Sequence, residues 1–406
     1  MTRERRPARP EFSSADLGHM QEALALAERG RGTTHPNPVV GAVIVKDGAV
    51  IARGHHERAG GPHAEVVALG NLPGGQTGEA RGATLYVTLE PCCHTGRTGP
   101  CTEAVIAAGI SRVVVACLDE NPLVSGRGVA RLRRAGVLVD VGCREDEARA
   151  QNRGFFRWIR DRRPHVTLKA AASLDGFLAP AGPRKPGTIH WLTGPSARAR
   201  AHHIRARHDA IIVGAGTIAA DDPRLTIRLP EHTVTEAKRA DAHFLRVVLD
   251  GLLRTSPSAR VFTQRGARRP LVIGAKPQRL APAAARAFAR RERALATKAD
   301  VVLLPGNRAG AIEAAAITTL LAQRQVQSLL LEGGSRLHAT FINAGLVDEV
   351  ALFLAPQLLG GGVPIAAGPG LPADQPLRLG PLQAVAVAGD ILVTANVIRD
   401  FARQRR

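Results

Sequence analysis

Hydrophobic positions change period along the chain, and each change marks an element. Over 14–30 (SADLGHMQEALALAERG) apolar residues recur at helical spacing behind a serine cap and stop at Gly30, which predicts a helix. Two apolar runs, 39–46 and 49–53, are joined by Asp47-Gly48, a strong hairpin signal. The pattern then alternates: helix over about 63–70, strand 84–89, helix 101–109, strand 112–118, helix 127–135, strand 137–141. A hairpin followed by strands alternating with helices predicts one mixed sheet covered on both faces. Residues 145–163 (EDEARAQNRGFFRWIRDRR) are charged and helical in pattern until Pro164 stops them. Strands are expected again at 166–171, 210–214, 245–250, 270–274, 300–304, 328–332, 349–355 and 390–398, several of them separated by helical stretches. The expected organisation is therefore a first domain over 12–150, a linker over 151–163 and a second α/β domain over 164–402. The Ala/Arg-rich stretch 267–300 shows no chemistry, and no internal repeat is visible.

Composition narrows the class. A chain of 406 residues favours two domains, and 45% apolar residues exclude disorder throughout. Aromatics are only 3%, so the cores should be aliphatic. Lys and Arg number 55 against 35 Asp and Glu, a formal charge of +20, and the excess is nearly all Arg spread over every segment. Such a charge can attract nucleic acid, but base-stacking aromatics are scarce, and phosphorylated small molecules also need Arg. Neither nucleic acid nor membrane is expected as a partner. The Arg-rich run Met1–Pro10 lacks the apolar core of a secretory signal. The longest charge-free stretch, 350–373, is broken by Pro356, Gly360–Gly362 and Pro364. Three of five cysteines crowd into 92–101, which suits a reducing compartment and metal or redox chemistry; a cytoplasmic protein is expected.

Three pieces of the first domain carry metal-ligand chemistry: Gly60-Gly61-Pro62-His63-Ala64-Glu65, Glu90-Pro91-Cys92-Cys93-His94 at a strand end, and Gly99-Pro100-Cys101 at a helix start. His63, Cys92 and Cys101 offer one imidazole and two thiolates, a set suited to one Zn²⁺ with its fourth position open to water. Glu65 is then the natural proton carrier. Residues two apart share no helix face, so His63 and Glu65 reach one site only at a helix start, which Gly-Gly-Pro supplies. His-x-Glu with Pro-Cys and a second Cys is the signature of zinc deaminases, in which Glu moves the proton. Here eight residues, not two, separate the cysteines. Cys93 and His94 are read as spares, and Cys117 and Cys143 as core.

Other loops read less sharply. Asn37, held between Pro36 and Pro38, and Asp119 with Asn121 in a turn after a strand, are candidate ligand contacts, since loops at strand ends are where such sheets bind. Gly214-Ala215-Gly216-Thr217-Ile218-Ala219 matches GxGxxA, but Asp221-Asp222-Pro223 breaks the helix that a dinucleotide fold needs. Glu332-Gly333-Gly334-Ser335 between a strand and a helix is a better phosphate cradle. Two such loops, with Arg205, Arg207 and Arg228 in the same domain, suit a nucleotide cofactor without naming it.

At this point the motifs resemble a family, from about residue 14 to 400: the bifunctional riboflavin-biosynthesis proteins, a pyrimidine deaminase fused to a pyrimidine reductase. The similarity rests on His35-Pro36-Asn37-Pro38-x-Val40-Gly41, Gly54-x-His56-x-x-Ala59-Gly60-x-Pro62-His63-Ala64-Glu65, Cys92-x-His94-x-Gly96-Arg97-Thr98-x-Pro100-Cys101 and Asp119-x-Asn121-Pro122-x-Val124-x-Gly126. In the second half it rests on Lys169-x-Ala171-x-Ser173-Leu174-Asp175-Gly176, Trp191-x-Thr193-Gly194, Thr217-x-x-x-Asp221-Asp222-Pro223-x-Leu225-Thr226-x-Arg228 and Glu332-Gly333-Gly334.

The resemblance implies a cytidine-deaminase-like three-layer α/β/α domain followed by a dihydrofolate-reductase-like α/β domain. It implies loss of an amino group from a diaminopyrimidinone ribosylamine phosphate, then reduction of the ribosyl chain to ribityl by NADPH. Ala171, Trp191, Thr217, Asp221, Gly334, Ser335, Arg336, Leu337, His338, Ala339 and Thr340 would contact NADPH. Arg205, Leu225, Arg228 and Glu332 would contact the phosphorylated pyrimidine, with Arg205 and Arg228 able to fork its phosphate. Lys169 is the candidate for polarising the carbon that is reduced, and Asp175-Gly176 reads as a turn. Ile189 stands where the family has a substrate-touching Ser, and Gly99 where Pro is usual. A homo-oligomer is expected. The rival readings are a nucleic-acid base deaminase with an accessory domain, which leaves the second half without a role, and a zinc-stabilised scaffold, whose fourth ligand would have to be Cys93 or His94.

Overall fold

The computed structural model of the protein describes residues 11–398 apart from 76, 95–98, 123, 183–186, 188–189, 230–242, 265–267, 279 and 308. Met1–Pro10, Ile189 and the Gly96–Thr98 part of the zinc motif thus lie outside the described residues. The chain divides into two compact units, Met1–Arg162 and Arg163–Arg406.

The first unit opens with α1 (Ser14–Glu28), whose cap Ser13 and Asp16 form a reciprocal capping box. The hairpin β1 (Gly41–Lys46) and β2 (Ala49–His55) turns at Asp47-Gly48, both with positive φ. Then come α2 (Ala64–Gly70), β3 (Thr84–Leu89), α3 (Cys101–Ala107), β4 (Arg112–Cys117), α4 (Arg127–Arg134) and β5 (Leu138–Val141). The sheet order is β2-β1-β3-β4-β5, with only the β1 pairings antiparallel. Alternate residues of each strand feed two cores. Ile44, Leu85 and Val113 pack with α2, α3 and α4, while Val43, Tyr86 and Val114 pack with α1. The result is three layers, α/β/α. Of residues 151–163, read as a linker, those up to Arg162 fall in this unit and Arg163 opens the next. After α5 (Glu145–Gln151), α6 (Arg153–Asp161) buries Phe155 and Phe156 in the α1 core beside Cys117 and Cys143.

The second unit is a nine-stranded sheet. Its elements are β6 (His165–Ser173), β7 (Phe177–Ala179), α7 (Pro195–Ala206), β8 (Ala210–Gly214), α8 (Ala215–Asp221), β9 (Leu245–Leu249), β10 (Leu271–Ala275), α9 (Pro282–Ala296) and β11 (Asp300–Leu304). There follow α10 (Ala314–Gln323), β12 (Ser328–Leu331), α11 (Ser335–Asn343), β13 (Glu349–Ala355), β14 (Val363–Pro364), β15 (Gln383–Val387) and β16 (Asp390–Asn396). The order β11-β10-β9-β8-β12-β6-β13 is parallel, and β16 and β15 extend it antiparallel. Helices α10 and α11 cover one face and α8 and α9 the other. The stretch 267–300 is therefore structural, contributing β10 and the buried Phe288 and Leu295 of α9. The unexpected strands β7 and β14 are too short to leave a period, and β15 is an edge whose residues are nearly all exposed. Among the described residues no helix is long and apolar enough to cross a membrane.

This unit is pinned at its first residue. The Arg163 guanidinium forks the Asp348 carboxylate with two 2.7 Å bonds, and Asp348 also accepts the Val166 N–H at 2.9 Å. Both side chains are nearly buried. Removing one partner strands the other charge, so Asp348→Ala is expected to destabilise this unit by about 3–5 kcal/mol, read as a lowered denaturant midpoint. A midpoint within error of the parent would refute it.

Candidate active sites

In the first unit the three expected ligands converge. His63 is the N-cap residue of α2 with extended backbone (φ −75°, ψ 165°), and Glu65 sits in the first turn. Cys92 follows β3, and Cys101 is the first residue of α3. His63 Nδ1 lies 3.2 Å from Cys101 Sγ and 3.5 Å from Cys92 Sγ, and the three donor atoms all fall within 4.8 Å of one another. The Cys101 N–H donates to Cys92 Sγ at 3.3 Å. Hydrogen bonds from the Cys101 thiol and from His63 draw the Cys92 thiol well below its ordinary range, leaving the proton on Cys101. One nitrogen and two sulfurs, one already inclined to ionise, fit Zn²⁺, and among the described residues no fourth protein donor joins them. His94 is exposed and lies outside the trio, as does Cys93.

Glu65 is buried at 3% exposure, and loss of solvation pushes its carboxyl up to about 7, with His63 opposing the shift. A carboxyl poised there can take and return a proton at neutral pH. Asn37 is joined to the same corner through His56, a residue of the metal-helix motif for which the sequence indicates no role of its own. Asn37 Nδ2 lies 3.1 Å from His56 Nε2, and His56 Nδ1 lies 2.9 Å from the Pro62 carbonyl. Burial lowers the His56 pKa, so the ring is neutral: Nδ1–H donates to Pro62 and Nε2 accepts from Asn37. Asp119 and Asn121 follow β4, the parallel neighbour of β3. The Asn121 N–H donates to Asp119 Oδ1 at 2.8 Å, and burial raises the Asp119 carboxyl to about 6.

In the second unit the two glycine loops meet because β8 and β12 are adjacent. Gly333 (φ 156°) and Gly334 (φ 87°) lie against Thr217: a Cβ on Gly333 would sit 3.3 Å from its side chain. That close approach and the positive φ at both positions would strain any other residue there. No side chain caps α11, so its first-turn N–H groups present an anion cradle beside Thr217. Of the expected NADPH stretch, Leu337, His338 and Ala339 are buried and the Ser335 hydroxyl donates to the Pro364 carbonyl, so any ligand contact there would fall to main chain and to Arg336 and Thr340. GxGxxA does not make a dinucleotide helix: α8 ends at Asp221, and Asp222 is left-handed. Trp191 is 54% exposed with the Arg198 guanidinium 4.6 Å over its ring. Asp175 is a turn residue, holding the Leu359 and Gly360 N–H groups.

Glu332 sits between two cations. Lys169 Nζ lies 2.9 Å from Oε1, and the Arg205 Nη2 and Nε lie 2.7 and 3.1 Å from Oε2. Arg205 also donates to the Thr226 carbonyl at 2.5 Å. The guanidinium expected to fork a phosphate is thus engaged within the protein, which leaves Arg228 as the more available of the pair. Burial alone would raise the Glu332 carboxyl, but Arg205 and Lys169 outweigh it and hold it at about 2. On β6, Lys169 and Ala171 share the more open face while Leu168, Ala170 and Ala172 are buried behind them. The Leu225 side chain is buried in the α8 and α9 core, so a ligand there meets its main chain. His202, one turn before Arg205, touches the Arg228 N–H and Nε at 3.1 and 3.2 Å. Burial, with Arg205 and Arg228 nearby, lowers it to about 4, so it stays neutral.

A zinc-binding pyrimidine deaminase unit joined to an α/β reductase unit is the class these folds and sites define. Residues 13–117 match the family described as "Cytidine and deoxycytidylate deaminase zinc-binding region", and residues 164–393 match "RibD C-terminal domain". The chain belongs to the RibD family of riboflavin-biosynthesis proteins. It is 42% identical over 351 residues to the riboflavin biosynthesis protein RibD of Aquifex aeolicus, covering 86% of this chain and 89% of that one. The solved structure of Acinetobacter baumannii RibD is 36% identical with a TM-score of 0.78 over 95% of this chain and 99% of its own. The Thermotoga maritima structure titled diaminohydroxyphosphoribosylaminopyrimidine deaminase/5-amino-6-(5-phosphoribosylamino)uracil reductase is 33% identical at the same TM-score, covering 95% and 99%.

Proposed function

We propose that this chain performs both family steps with the residues placed above: the deaminase in 12–150 and the reductase in 164–402, with 151–163 linking them through α6. Zinc and NADPH are its cofactors and a phosphorylated pyrimidine its substrate. In the first step His63, Cys92 and Cys101 would hold the ion. Bound there, zinc supplies Lewis acidity that lowers the pKa of water from about 15.7 toward 7. Glu65 takes the proton from the attacking water and passes it to the departing ammonia, a relay that a carboxyl at about 7 performs in both directions. Asn37, oriented by His56, and Asp119 with Asn121 read the donor and acceptor edge of the ring.

In the second step the cradle of Gly334 to Thr340 with Thr217, Asp221, Ala171 and Trp191 would hold NADPH, which supplies the hydride. Lys169, fixed by Glu332, faces the sugar carbon that is reduced; Arg228, with Leu225 and Arg205 beside it, receives the phosphate. The observation that carries this reading is the convergence of His63, Cys92 and Cys101 beside buried Glu65. Five free cysteines, two of them needed as thiolates, support a reducing cytoplasm. The edge strand β15, with Val385 and nearby Leu382 and Ile391 exposed, supports a homo-oligomer.

The test is a coupled assay with the diaminopyrimidinone ribosylamine phosphate. Zinc-loaded protein should release ammonia with no NADPH present, and should oxidise NADPH only after release has begun. NADPH consumption without ammonia release would reverse the order of the two steps, and no ammonia at all would overturn the deaminase reading.

A further inference from the structure

Glu90 directly follows β3, two residues before Cys92, and its N–H donates to the Cys117 carbonyl of β4 at 3.0 Å. Its side chain is buried at 4% exposure. Oε2 accepts the N–H of Asp119 at 3.2 Å and of Gly126 at 2.9 Å, and Oε1 accepts the N–H of Val129 at 3.1 Å. All three donors are main-chain groups of the turn after β4 and the first turn of α4. That helix needs such a partner: its own cap is Gly126, with no side-chain oxygen, and its first turn carries no acidic residue. A carboxylate reaching across from β3 therefore caps α4 from outside its own segment and supplies the charge its N-terminus favours. The contact is tight, since a Cβ on Gly128 would lie 2.0 Å from the Pro91 carbonyl. Asp119, held at its N–H by Glu90, in turn holds the N–H of Asn121.

We propose that Glu90 is a positioning residue of the deaminase, setting the turn that carries Asp119 and Asn121 against the strand end that carries Cys92. One carboxylate thereby locks the pyrimidine-reading groups to the zinc ligands, at a fixed distance from Glu65. This rests on the reading that Asp119 and Asn121 meet the pyrimidine.

Glu90→Gln keeps the shape but turns one acceptor into a donor facing an N–H. In the full-length zinc-loaded enzyme it should raise the deaminase KM about tenfold or more with kcat changed far less, because substrate placement is lost rather than proton transfer. Zinc content should stay at one per chain, and the amides of Gly126 and Val129 should exchange faster with solvent. Asn121→Ala should raise KM by itself, and adding Glu90→Gln to it should cost little more, since both act through one contact. Unchanged KM in Glu90→Gln, or effects that multiply in full in the double variant, overturns the proposal. Unchanged KM in Asn121→Ala instead removes the substrate reading beneath it. Should Glu90→Gln lose zinc, Glu90→Asp carries the same cycle; zinc loss there too makes Glu90 a support of the metal site and ends the proposal.

Discussion

Glu65→Gln is expected to slow ammonia release by roughly a hundred- to ten-thousand-fold, the usual share of a positioned general acid–base. Glutamine matches glutamate in size, so the packing around this buried position is kept while the proton carrier is lost. His63, Cys92 and Cys101 are untouched, so zinc content should remain one per chain. The reductase unit has its own fold and core, so NADPH oxidation on substrate deaminated beforehand should continue at the parental rate. Ammonia release within tenfold of the parent, at full zinc content, would remove Glu65 from the mechanism. Removing the metal with a chelator should stop the first step equally and leave the second running, which separates the two losses.

The second large effect is expected at Glu332. Glu332→Gln leaves Lys169 and Arg205 facing each other across a largely buried gap with no anion between them. Breaking a buried pair by removing one partner costs about 3–5 kcal/mol, and here the remaining charges also repel. Reductase activity should be lost because Lys169 loses the group that aims it, while ammonia release persists. The pH dependence follows in sign. The carboxyl sits at about 2 in the folded chain, against roughly 4.3 unfolded, so its stabilising contribution is fully present above the unfolded value. It is lost as pH falls through the folded value. Denaturant midpoints of the parent should therefore decline across that acid window, and the decline should be shallower in Glu332→Gln. An equal slope in both proteins would show that Glu332 does not carry the linkage.

Much of the first site was legible because its chemistry is local and rare. A histidine and a glutamate two apart demand a helix start, and Gly-Gly-Pro announces one; His63 is indeed the cap of α2. Cysteines after a strand and at the head of a helix fall naturally on one side of a parallel sheet. The second site was legible only in part. The glycine loops were visible as turns, but that they abut each other follows from β12 inserting between β6 and β8, which no local pattern records. The same insertion decided the fate of Arg205. Its partner Glu332 is 127 residues away, and Lys169 is 163 residues from that same carboxylate. Arg205, read in the sequence as one arm of a phosphate fork, is also an ion-pair partner of Glu332 in the fold.

Residue type and short-range period were enough to determine where most strands and helices of the first unit fall and which side chains are candidates to bind metal and to move a proton, because those depend on backbone sterics and ligand chemistry within a few residues. Only the tertiary structure decided which buried charges neutralise each other, that α6 belongs to the first core, and that Glu90 caps a helix it does not belong to. Electrostatic pairing and desolvation act through space at a few ångströms, and strand order alone sets which distant segments come that close.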